Sequence, residues 1–309
     1  MIGVMWQDLG ALTSLLCGVA LRGVTQLHDV IYVVCESSSA ISRFSTTTHQ
    51  RLTDIDVKHL RLPRDIAACQ ETSQLYITDC LTSDTEACIW RVSSNGEEVC
   101  RWWTKSSSET FEPLSLSVTA TCLLVTPRDN NQLLQLDANG KELRRVRLPH
   151  EYMSPHHAAE SPAGTFIVSH QNKHLNQRQV SEVSTTGDVL RQFSHSSLGG
   201  LGYAPHIAVD SEGNIFVADW TSRRILLLDA QLELRRVIDE HHLDDRPPYR
   251  LCYMQHTEQL LVGFEASGVV AVFDVLQWWL LPSLSMPIFW QFCFSQSRLT
   301  WSLVKVGYM

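Results

Sequence analysis

The feature that most constrains this chain is a repeat. Pro63, Pro113, Pro155, Pro205 and Pro248 each open a segment in which a polar or bulky residue precedes an apolar run, and Leu21 holds the same place in Leu21-Arg22-Gly23-Val24. The openers are roughly 40–50 residues apart, the length of a four-stranded propeller blade. Each is followed by a short β-rich run, at 31–34, 75–78, 123–126, 166–169, 215–218 and 260–263. A polar loop and a second, alternating run come next, at 41–44, 89–92, 133–136, 180–183, 225–228 and 270–273. Tight-turn pairs then appear, most clearly Asn95-Gly96, Asn139-Gly140 and Gly187-Asp188; such residues tolerate the positive φ of a two-residue hairpin. A closing strand follows, as at 142–146 and 233–237.

Six ordered copies predict an all-β chain folded as a six-bladed β-propeller of four-stranded antiparallel blades. The propeller is expected over residues 1–275, with blades starting near 21, 63, 113, 155, 205 and 248. The last copy lacks a clear fourth strand, and residues 2–9 are expected to supply it, so that no open edge remains. Residues 276–309 fall outside the repeat. As far as residue 297 they form an uncharged, Trp-rich stretch that includes Trp278, Trp279 and Trp290. It is long enough to span a bilayer, but Pro282 and Pro287 interrupt any helix. A tail packed on the propeller, or an aberrant C-terminus, is the reading taken here.

One copy is specific enough to carry a resemblance. Pro205, the apolar strand 207–209, Asp210, Gly213-Asn214, Val217, Asp219 and Arg224-Ile225 resemble an NHL repeat, the unit of NHL and TolB-like propellers. The copy from Pro63 keeps the opener and Asp79, and the other four match in spacing and alternation. The Asn-His-Leu tripeptide that names the repeat is replaced by Thr221-Ser222-Arg223-Arg224. The resemblance implies a rigid platform that binds protein or RNA, as in the C-terminal module of tripartite-motif proteins. Any ubiquitin-ligase activity would belong to a parent protein, because the zinc-ligand spacing of RING and B-box domains is absent from this sequence.

The candidate partner-binding face comprises Arg64, His156, His206, Trp220, Arg223 and Arg250, placed together by their positions beside the openers or at a strand-connecting loop. Arg and Trp are favoured in binding hot spots. Asp219 and Arg224 flank that loop and are expected to clamp it. The alternative is a metal-dependent propeller hydrolase or lyase, lactonase-like or amidating-lyase-like. His156 and His206 each follow an opening proline, and Asp65 and Glu112 are acidic candidates near the channel. Two imidazoles fall short of a zinc site, no oxygen-rich set is evident, and no catalytic residue, metal or cofactor is assigned. The net charge of −8 disfavours unspecific binding of nucleic acid; a protein partner is expected, RNA is the second choice, and DNA is not expected. Nine cysteines without a C-x-x-C pair, and no N-x-[ST] site, suggest reduced thiols and a cytoplasmic setting.

Overall fold

The computed structural model describes residues 20–80, 87–104, 112–119, 122–128, 130–149, 153–193, 200–202, 206–238, 243 and 245–275. The first sheet holds β1 (Leu21–Leu27), β2 (Val30–Cys35), β3 (Ala40–Ser45) and β4 (Arg51–Asp56). The second holds β5 (Pro63–Cys69), β6 (Gln74–Asp79), β7 (Cys88–Ser93) and β8 (Val99–Thr104). The third is β9 (Glu112–Thr119), β10 (Cys122–Arg128), β11 (Gln132–Leu136) and β12 (Glu142–Arg147). The fourth is β13 (Met153–Glu160), β14 (Phe166–Asn172), β15 (Gln177–Val183) and β16 (Val189–Phe193). The fifth is β17 (His206–Val209), β18 (Ile215–Asp219), β19 (Arg224–Leu228) and β20 (Leu234–Ile238). The sixth has three strands among the described residues: β21 (Pro248–Met254), β22 (Gln259–Phe264) and β23 (Val269–Asp274).

Each sheet is antiparallel with its strands in chain order, so hairpins suffice to build it. The first strands pack in succession, β1 on β5, β5 on β9, β9 on β13, β13 on β17 and β17 on β21, and β21 returns to β1. The ring is therefore closed, and the chain is a six-bladed β-propeller with these six strands around its axis. At the seam the Leu21 amide donates to the Glu265 carbonyl at 3.1 Å. Gly263 packs closely there: a Cβ on it would come within 2.7 Å of Leu21 Cδ2, and that side chain would have to shift. Residues 2–9 and 276–309, the expected closing strand and tail, lie outside the described residues.

The core follows from the apolar runs. A second strand is covered on both sides by neighbouring blades, so β2, β6 and β22 each show five consecutive buried residues, which is why the runs read as continuous rather than alternating. Six hydrophobic clusters result, one between each pair of adjacent blades. The seam cluster joins Val24, Ile31 and Phe44 to Met254, Leu261 and Val272. A fully buried aliphatic or Phe side chain stabilises by about 1.5–3 kcal/mol, so the seam is held by the same force as the other five interfaces. Outer strands such as β4, β8 and β16 are largely exposed. On β12, Arg145 pairs with Glu142 at 2.8 Å, and such charged rims discourage edge-to-edge pairing.

Candidate functional site

A bulge after each opener decides what faces the axis. In β1, β5, β9, β13 and β21 the pairing with the second strand skips one residue. The skipped residues are Arg22, Arg64, Leu114, His156 and Tyr249. A bulge leaves its extra residue unpaired and re-aims it. All five line one cavity of about 510 Å³ at the end of the channel where the first strands begin. The next residues, Gly23, Asp65, Ser115, His157 and Arg250, re-enter the ladder at the position that His206 occupies in β17. His157, rather than His156, is thus the counterpart of His206.

These inner positions form a plug across the channel, and every blade contributes. The Asp65 carboxylate accepts the Ile66 amide on Oδ1 and the Leu116 amide on Oδ2, both at 3.0 Å. Arg250 Nε lies 3.7 Å from Oδ1. The same guanidinium donates to the carbonyls of Arg22 (2.6 Å) and Arg64 (3.0 Å) and lies over the Tyr249 ring. His206 Nε2 is 3.9 Å from Asp65 Oδ2, and its ring centroid is 3.8 Å from that of His157. Gly23 completes the circle because a Cβ there would come within 2.8 Å of the Ile66 nitrogen. His157 and His206 line both the 510 Å³ mouth and a second cavity of about 610 Å³ on the far side, so the plug divides the channel in two.

Asp65, His157 and His206 place three donor atoms within 4.8 Å of one another, close enough to raise the question of a metal. The hydrogen bonds answer it. The Leu251 amide donates to His206 Nδ1 at 3.3 Å, which puts the proton of the neutral ring on Nε2, the atom a metal would need. Both Asp65 oxygens already accept amides, and Arg250 sets a positive charge against them. Burial holds the His157 and His206 pKa values well below the ordinary imidazole value, helped by the neighbouring His206 in the first case and Arg250 in the second. With the His206 proton on Nε2 and Arg250 set against Asp65, the groups fit a neutral plug better than a cation site.

Arg64, His156, His206 and Arg250 therefore share the mouth, with His206 and Arg250 at its floor. Trp220 and Arg223 lie on the same face, in the turn between β18 and β19, but outside that cavity. Trp220 is half-buried, and exposed Arg223 has a φ of 49°. Glu112 is 3.6 Å from Arg128 and is absent from the plug. Asp219, fully buried, accepts Arg224 Nε at 2.9 Å and the Gly202 amide at 2.8 Å, while Arg224 Nη2 donates to the Gly200 carbonyl. This ties the blade-linking glycines to the fifth blade. Asp79 does the same in the second, accepting the Leu62 amide (2.7 Å) and Trp90 Nε1 (3.1 Å). Burial pushes the Cys80 and Cys88 thiols up to about 12 and about 11, the opposite of an activated nucleophile.

No protein-family model matches the chain, and a search of curated proteins gives no match. Solved structures do match. Hydrazine synthase of Kuenenia stuttgartiensis is similar at a TM-score of 0.59 and 15% identity, over 82% of this chain and 83% of that one. A catalytically inactive virginiamycin B lyase from Staphylococcus aureus with quinupristin gives 0.59 and 12%, over 84% and 97%. A nidogen/laminin complex gives 0.58 and 14%, over 75% and 84%. At these identities the likeness establishes the propeller fold alone.

Proposed function

We propose that this chain is a non-catalytic interaction platform that receives a protein partner on the face where the innermost strands begin. The observation that carries the reading is the blind mouth: a 510 Å³ recess on the axis, floored by the plug and lined by the bulged residues of five blades. Its shape suits insertion of one side chain or chain end, as in the pocketed anchors of protein interfaces. A continuous nucleic-acid strand needs an extended groove of charges, and the chain's net charge of −8 works against one, so RNA is the weaker choice. The NHL resemblance supports the same role, as the recognition module of a ubiquitin-ligase-type parent. Among the described residues, thiols at Cys69, Cys80, Cys88, Cys100 and Cys252 that form no disulfide accord with a reducing, cytoplasmic setting.

Two measurements test this. Leu114→Trp fills the mouth without touching a charge, and crosslinking followed by pull-down should recover about tenfold less partner than wild type; equal recovery removes this face from consideration. Zinc or calcium titration followed by dialysis should leave no stoichiometric metal. One equivalent retained by the wild type, and lost in His157→Phe, would establish the metal-dependent hydrolase or lyase instead.

A further inference from the structure

The polar groups of the mouth are nearly all donors. Four arginines line it, Arg22, Arg64, Arg128 and Arg250, against a single glutamate, Glu265. Three of them are engaged. Arg22 pairs with Glu36 at 2.7 Å and Glu265 at 2.5 Å, Arg128 faces Glu112, and Arg250 is spent on two carbonyls and Asp65. Arg64 is different: its side chain makes no ion pair or hydrogen bond among the described residues, and its Nε is buried without an acceptor. Ser115 is 2% exposed, and its hydroxyl also has no partner. His206 Nε2 is likewise without one, and the Leu251 amide fixes its proton there. The Tyr249 hydroxyl accepts from Arg22 Nη1 at 3.3 Å, which leaves its own proton to give away.

Buried donors left without acceptors are costly, and three of them around one recess, with the Tyr249 hydroxyl beside them, describe a site built to receive an anion. The geometry points to an oxyanion site: the mouth binds a single carboxylate carried by an acidic segment of a partner protein, with Arg64 as the charged clamp and Ser115, Tyr249 and His206 as neutral donors. This rests on the platform reading above and gives its partner a chemistry. A carboxylate matches the guanidinium fork in shape and hydrogen-bonding pattern. It also matches in charge, since Arg64 alone of the four arginines brings a positive charge not already paired. A phosphate dianion would need two.

The test uses the full chain with hexaglutamate, hexaglutamine, inorganic phosphate and a six-nucleotide oligouridine as probes in calorimetric titration. Hexaglutamate should bind, hexaglutamine should not, and added salt should weaken the affinity. Arg64→Gln should weaken hexaglutamate at least about tenfold, Arg64→Lys should restore part of the loss, and Ser115→Ala should weaken it several-fold at unchanged thermal stability. The proposal is overturned if hexaglutamate fails to bind or binds Arg64→Gln as well as wild type. It is equally overturned if phosphate or oligouridine binds more tightly. Leu114→Trp separates the two readings. If it lowers partner recovery while hexaglutamate fails, the platform stands and the carboxylate falls; if recovery is also unchanged, both fall.

Discussion

Asp65→Ala will lower the unfolding free energy by about 3–5 kcal/mol, the largest loss expected from any single substitution at the channel. Asp65 is the anion at the centre of a charged, hydrogen-bonded plug and is only 2% exposed. Its removal leaves the Ile66 and Leu116 amides without acceptors and Arg250 buried without a counter-charge. Those amides belong to the second and third blades, and Arg250 to the sixth, so the loss is felt across the ring rather than within one sheet. Urea unfolding reads the effect directly, with a fall in Tm of about 10 °C as the thermal counterpart. The second half of the test is a double-mutant cycle. Arg250→Met alone strands the carboxylate, but combined with Asp65→Ala it removes both charges, and the pair should cost less than the sum of the single changes by at least about 1 kcal/mol. A cost below about 1 kcal/mol for Asp65→Ala, or strict additivity, would mean that the plug is not a coupled unit.

The propeller was legible because its signals are local and repeated. The buried runs 31–34 and 260–263 lie 229 residues apart yet read alike, since each is a second strand pressed between two blades. Asn95-Gly96 and Asn139-Gly140 announced their hairpins, and the glycines have φ of 78° and 81°. Asp219 and Arg224 read as a loop clamp from their places at two strand ends, and the 2.9 Å pair has that geometry. The channel was less legible, for a physical reason. Strand reading assumes that alternate residues share a face, and one bulged residue reverses the phase. Counting from the openers put His156 beside His206, whereas the bulge delivers His157 and sends His156 into the mouth. The same slip hid Ser115 behind Leu114, whereas Asp65 was read as an acidic candidate near the channel and does stand in the plug. The plug also depends on closure: Arg250 donates to a carbonyl 228 residues earlier, and no window of sequence contains that contact.

Acid should unfold this protein more steeply than its carboxylates alone would require. His157, His170 and His206 are buried, and burial lowers all three pKa values, that of His170 to about 4 and the other two well below the ordinary value. In the unfolded chain each would titrate near 6.5. Above that pH both states are neutral and the stability is fully present. As pH falls below about 6.5 the unfolded chain takes up protons that the folded one refuses, so stability is lost by about 1.4 kcal/mol per pH unit for each histidine, or about 4 for the three together. The loss from His170 levels off near pH 4, after about 3 kcal/mol, while the plug pair continues below it. Urea unfolding at pH 8, 7, 6 and 5 gives the proton number from the slope. A value approaching three between pH 6 and 5 is expected, falling by about one in His206→Gln. A slope of less than one proton would mean that the histidines admit charge in the folded state. The neutral plug, and with it the reading of His206 as a neutral donor whose Nδ1 accepts the Leu251 amide, would then have to be abandoned.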